Sequence, residues 1–179
     1  MELRLSEATG ILERTPVVLG HLLRDLPEEW ARATEGDDTW SCYDVVGHLI
    51  HGEMTDWMPR VRVILEHGDR QTFEPFDRLA QFRENRSRPL NFLLDRFGEL
   101  RKQNLTALRS LRLGPEDFPR TAIHPALGTV TLGQLLSSWV VHDFTHIFQI
   151  SRVLAKQYAG EVGPWKGYMG ILNISLDRS

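Results

Sequence analysis

The chain has 179 residues and a mass of 20.6 kDa, enough for one domain with a sizeable buried core. Hydrophobic residues make up 41% and charged residues 25%, a balance that argues against disorder. The formal charge of −3 argues against a nucleic-acid partner, which would call for a basic surplus, and a lone cysteine, Cys42, rules out an intrachain disulfide. The first residues, Met1 to Ser6, are charged at once and lack the apolar stretch of a secretion signal. No apolar run nears the roughly 18 residues of a membrane span. The expectation is one cytoplasmic domain over residues 1–179.

Apolar residues recur at helical spacing along the chain, and strict alternation is almost absent. The first helical segment runs from about Leu5 to Leu26, with a kink expected at Pro16. A polar stretch from Glu28 to Thr39 follows. Ser41 and Asp44 form a capping-box pattern ahead of Val45, Val46, Leu49 and Ile50, which opens the second helix. Pro59 should bend that helix before a stop near Gly68. The connection from Asp69 to Ser87 is long, and Phe73, Phe76, Leu79 and Phe82 suit a short helical turn packed against the body. The third helix has Ser87 as candidate cap, Pro89 in its first turn and a leucine-rich stripe from Leu90 to Leu111, ended by Gly114-Pro115. Glu116 to Val130 reads as irregular. Thr131 caps a fourth helix reaching about Tyr158, and an aromatic tail from Pro164 to Leu172 is suited to docking. Four amphipathic helices must bury their apolar faces together, so the predicted fold is an all-α four-helix bundle with short extra helices in the connections.

The chemistry lies in the histidines. His142 and His146 stand four apart, on one helix face, with Cβ atoms roughly 5–6 Å apart. Two imidazoles so placed can bind one ion through metal–nitrogen bonds of about 2.0–2.1 Å. Their neighbours Trp139, Val140, Ile147 and Ile150 are apolar, and unpaired imidazoles are costly there. In the second helix, His48 offers a third ligand among Val45, Val46, Leu49 and Ile50. His51 is its rival, read here as a partly exposed helix residue.

The blocks that carry these histidines resemble the two signatures of the DinB-like family. The first is Trp40-Ser-Cys-Tyr-Asp-Val-Val-Gly-His48-Leu-Ile-His-Gly-Glu53 with Asp56-Trp57 and Pro59-Arg60. The second is His124-Pro-Ala-Leu-Gly-Thr-Val-Thr-Leu-Gly-Gln-Leu-Leu136 with His142-Asp-Phe-Thr-His146 and Gln149-Ile150. The tail residues Val162-Gly-Pro-Trp165 and Tyr168 are similar to one branch of the family. The resemblance implies an up-down-down-up helix order, a divalent ion held by His48, His142 and His146, and a homodimer. It further implies a thiol-dependent S-transferase or isomerase that uses a low-molecular-weight thiol such as bacillithiol or mycothiol on a small-molecule substrate. A three-histidine site leaves a position open for water or substrate, so a metal-assisted hydrolase and a non-catalytic metal-binding module are the alternatives. Imidazole suits zinc, nickel, iron and copper alike, so the residues do not select the metal.

Other residues carry plainer expectations. Asp44 lies one turn before His48, but is assigned to the helix cap rather than to orienting that ring. Cys42 reads as packing rather than as a nucleophile, and His124 as part of a His-Pro turn. Arg96, Arg101, Lys102, Arg109 and Arg112 alternate with acids, as on a solvated face. Trp57, Trp139 and Trp165 are expected in the bundle core. Glu53 is a weakly placed candidate base near the metal.

Overall fold

The computed structural model describes residues 3–84 and 87–174. In chain order they form α1 (Leu5–Leu12), α2 (Arg14–Leu23), α3 (Glu28–Arg32), α4 (Cys42–Thr55), α5 (Trp57–Glu66), α6 (Gln81–Glu84), α7 (Leu90–Ser110), β1 (Thr121–His124), β2 (Gly128–Thr131), α8 (Leu132–Lys156) and α9 (Gly170–Asn173). The first bundle helix is the pair α1–α2, the second is α4 continued by α5, the third is α7 and the fourth is α8.

Both prolines act one turn earlier than their own position. A proline has no N–H for the carbonyl four residues back, and its ring crowds that group. For Pro16 the carbonyl is that of Leu12, where α1 ends; for Pro59 it is that of Thr55, where α4 ends. The expected kinks are therefore breaks at Glu13 and Asp56. Two helix starts follow the capping-box pattern. Ser41 Oγ accepts from the Asp44 backbone N–H at 3.2 Å, and Asp44 accepts in return from the Ser41 N–H at 3.0 Å. Thr131 and Gln134 do the same at 3.1 and 2.8 Å. The third helix departs from expectation: Pro89 is its N-cap residue, and Ser87 does not cap it.

Helix direction follows from contacts between helices. Glu13 pairs with Arg109, the Leu12 carbonyl accepts from Arg101, and Arg24 pairs with Asp95. The first helix thus runs antiparallel to α7. Tyr43 donates to the Arg88 carbonyl, and Glu53 meets Arg101 and Asn104, so α4 runs parallel to α7. His48 meets His142 and Glu53 meets Trp139, which makes α4 antiparallel to α8. The order is up-down-down-up.

Two apolar clusters fill the bundle. One joins Leu19, Leu23, Val46, Leu49, Phe97 and Ile150; the other joins Leu12, Trp57, Val61, Leu105, Leu136 and Trp139. On every bundle helix the chain passes from one cluster to the other. At that transition α4, α7 and α8 carry the buried polar residues His48, Glu53, Arg101, Asp143 and His146. A polar layer therefore crosses the middle of the molecule.

The stretch expected to be irregular contains a hairpin. β1 and β2 pair antiparallel, with Thr121 opposite Thr131 and His124 opposite Gly128. Gly128 takes a φ of +74°, which a side chain would strain. Only Ala122 of the hairpin is fully buried, so the strands are too short to print an alternating pattern on the sequence. The hairpin has a job: the Phe73 N–H donates to the Ile123 carbonyl at 2.9 Å, and this pins the long connection that leads to the histidines. The polar stretch after α2 holds the single turn of α3. At the far end, α9 packs against α8, but Trp165 stays 66% exposed and Tyr168 87%. Trp165 is thus not a core residue.

Candidate metal centre

His48 sits mid-way along α4, and His142 and His146 sit one turn apart on α8. The antiparallel crossing of these helices brings their rings together, with His142 Nε2 3.2 Å from His48 Nε2 and 3.1 Å from His146 Nε2. One donor nitrogen from each residue lies within 4.8 Å of the other two. Two nitrogens about 2.1 Å from a common ion and about 95–110° apart would lie roughly 3.1–3.4 Å from each other. These two spacings fit a shared divalent cation.

Protonation agrees with that fit. His146 Nδ1 lies 2.9 Å from Gln149 Oε1, an amide oxygen that only accepts. Nδ1 therefore carries the proton, and the Nε2 lone pair faces the cluster. Burial pushes the His48 and His142 rings down, to about 3 and about 2, and lowers His146 as well; the neighbouring imidazoles add to the effect on His48 and His142. All three are neutral at physiological pH, the form that binds metal. Where two of these Nε2 atoms both present lone pairs they repel, and a cation between them would turn the repulsion into bonds. Among the described residues, the buried Nδ1 atoms of His48 and His142 have no hydrogen-bond partner, so packing rather than a contact at Nδ1 orients those two rings.

The packing is aromatic. Trp40 lies 4.9 Å from the His48 ring and stacks parallel to His146 at 6.4 Å. Phe76 meets His48 edge-on at 5.4 Å, and Trp57 meets His142 at 5.1 Å. Trp57 in turn stacks on Trp139 at 5.4 Å. Such walls hold the rings in place and keep bulk water off them.

Beside the histidines lies an ion network. Arg101 is 1% exposed and donates to both oxygens of Asp143 at 2.6 and 2.9 Å, to Glu53 at 3.0 Å and to the Leu12 carbonyl at 2.7 Å. Glu53 also accepts from Asn104 at 2.9 Å and Trp139 at 3.2 Å. These residues tie α1, α4, α7 and α8 into one register at the level of the histidines. Arg101 therefore leaves the solvated face on which the sequence placed it.

A family model described as the DinB superfamily matches residues 11–150 of this chain. The chain belongs to the DinB superfamily. Among solved structures, it is similar to YfiT from Bacillus subtilis, described as a probable metal-dependent hydrolase with an unusual four-helix bundle topology. The two align with a TM-score of 0.74 and 21% identity, covering 86% of this chain and 87% of that one. No curated protein matches the chain.

Within this DinB-superfamily fold, the remaining candidates separate clearly. His51 is 6% exposed, not partly exposed, because Phe76 covers it at 5.1 Å and Glu84 meets its Nδ1 at 3.2 Å. It stands apart from the three convergent nitrogens. Glu53 points into the ion network and is not poised as a base. Asp44 is spent on the cap. Cys42 is fully buried with its thiol pushed up to about 12, chiefly by desolvation, so it is packing. His124 Nδ1 accepts from the Ala126 and Leu127 N–H groups and holds the hairpin turn. Gln149 is the residue sequence reasoning left without a role; its position one turn after His146 on the same face was the available signal. Among the described residues, no helix is long and apolar enough to cross a membrane.

Proposed function

We propose that His48, His142 and His146 hold one divalent metal ion through their Nε2 atoms, and that this DinB-superfamily protein is an enzyme acting through that ion on a small molecule. The observation that carries the reading is the convergence of three neutral imidazole nitrogens, two from buried histidines and one from the half-buried His142, at metal-ligand spacing. Three protein ligands leave coordination positions open, as catalytic rather than structural zinc sites do. When bound, such an ion supplies Lewis acidity that brings the pKa of a coordinated water or thiol toward neutrality.

The chain's own residues have definable parts. Gln149 fixes the tautomer of His146, Trp40 and Phe76 exclude water from the rings, and the Arg101 network keeps α4 and α8 in register. The thiol-dependent S-transferase is the reading drawn from the family resemblance. Water as nucleophile is the second reading, favoured by the fold shared with YfiT, described as a probable metal-dependent hydrolase. A homodimer belongs to the same reading and is checked by light scattering.

The test has two parts. Metal analysis of purified protein should give about one ion per chain, and His142→Ala should lose it; retained stoichiometric metal in the variant refutes the ligand assignment. Electrophile consumption is then followed with and without a low-molecular-weight thiol, in loaded and chelated protein. Thiol-dependent turnover supports the transferase, turnover without thiol supports the hydrolase, and no turnover leaves a metal-binding module.

A further inference from the structure

We propose that Arg78 is the anion-recognising residue of this centre, so that the small molecule it takes carries a carboxylate beyond its metal-directed atom. The inference rests on the metal reading above and names the substrate class within it. Arg78 lies in the connection between α5 and α7, and that connection forms the outer wall of the site. Two residues before Arg78, Phe76 contacts His48 and His51. Four residues after it, Phe82 meets Trp40 edge-on at 6.2 Å, and Trp40 lies against His48 and His146. The chain on both sides of Arg78 thus touches the aromatic shell of the histidines.

Opposite this wall the site is closed by Trp57, Trp139 and the Glu53–Arg101–Asp143 network, all buried. That side offers a small molecule no approach to the three nitrogens. Arg78 is exposed on the connection, and its positive charge is felt by His48, His142 and His146 alike.

The guanidinium is also uncommitted. Asp77 is taken by Arg83, and Glu84 by His51. Among the described residues, Arg78 makes no ion pair or hydrogen bond, whereas the nearby Arg60 and Arg83 are paired. A planar fork of donors left free at the mouth of an apolar, cation-binding site matches a carboxylate.

The test uses cobalt(II)-loaded protein and two thiols of equal length, 3-mercaptopropionate and 3-mercaptopropionamide. Cobalt(II) absorption reports metal binding before any thiol is added, and thiol binding is read from the thiolate-to-cobalt charge-transfer band. The wild type is expected to bind the carboxylate about three- to tenfold more tightly than the amide, the range for a partly exposed charged pair. Arg78→Gln should bring the ratio to about one by weakening the carboxylate alone, and Arg78→Lys should keep part of the preference. A normal cobalt spectrum with no preference in the wild type, or with the preference intact in Arg78→Gln, overturns the role of Arg78 and leaves the metal centre standing. Failure to bind cobalt at all overturns the metal reading, and this inference with it.

Discussion

Replacing Arg101 by Met would leave the carboxylates of Glu53 and Asp143 facing each other across an apolar side chain in a layer that water does not reach. Removing one partner of a buried ion pair costs about 3–5 kcal/mol, because the remaining charge is left uncompensated. Here two carboxylates and the Leu12 carbonyl lose their donor together, so the upper part of that range, about 4–5 kcal/mol, is expected. For a chain of this size each kcal/mol lowers Tm by roughly 2–4 °C, which gives a fall of roughly 8–20 °C at pH 7. The loss should depend on pH. Burial already raises the Glu53 carboxyl, against the lowering influence of Arg101, and without Arg101 it rises further. A carboxyl whose folded-state pKa lies above its unfolded value of about 4.3 favours the folded state fully below that value, and this stability is lost as pH rises through the folded pKa. The difference between Arg101→Met and wild type should therefore shrink from pH 7 to pH 5; the histidines titrate in both proteins and cancel. Thermal melts followed by circular dichroism measure the effect, and Glu53→Gln with Asp143→Asn in the same chain should recover part of the loss. A penalty under about 1 kcal/mol at pH 7, or one that does not shrink on acidification, would refute the charge-compensation argument.

Three further outcomes follow from the site. The metal-free protein should lose stability as pH falls below about 6.5, because His48, His142 and His146 stay neutral when folded and take up protons only when unfolded; each contributes up to about 1.4 kcal/mol per pH unit, and chelated protein carrying His142→Phe should show a shallower slope in denaturant titrations. Gln149→Leu removes the acceptor for His146 Nδ1 and should weaken metal binding about 10–100-fold, the usual range for such supporting contacts, as read by competition with a chromophoric chelator; unchanged affinity would mean that packing alone orients the ring. The Cys42 thiol, buried and held near pKa 12, should resist iodoacetamide in the native protein at pH 8 and react once the chain is unfolded, with mass spectrometry as the readout.

Local signals in the chain were sufficient for much of the fold. Ser41 with Asp44 and Thr131 with Gln134 set two helix starts through contacts three residues apart, which a linear reading captures. Pro16 and Pro59 marked the right breaks but not their positions, since the carbonyl affected lies one turn upstream. The carbonyl freed at Leu12 then accepts from Arg101. Nothing near Arg101 in sequence indicates this; its neighbours Lys102 and Glu99 belong to the opposite, solvated side of α7. His51 was misjudged for the same reason, because the residues covering it, Phe76 and Glu84, arrive from a connection 25 or more positions away. The hairpin escaped notice because eight strand residues bury only one side chain.

By itself the sequence determined four apolar stripes, the caps of the second and fourth helices and the pair of imidazoles on one turn of the fourth helix, all consequences of local patterns within about four residues. Only the folded arrangement decided that His48 meets that pair, that Arg101 balances two carboxylates in the bundle core and that Arg78, with no ion pair or hydrogen bond among the described residues, stands in the connection whose Phe76 meets His48. Those meetings depend on helix direction and on the depth at which each residue crosses the layer between the two apolar clusters. That is a property of four segments packed together, and no single segment encodes it.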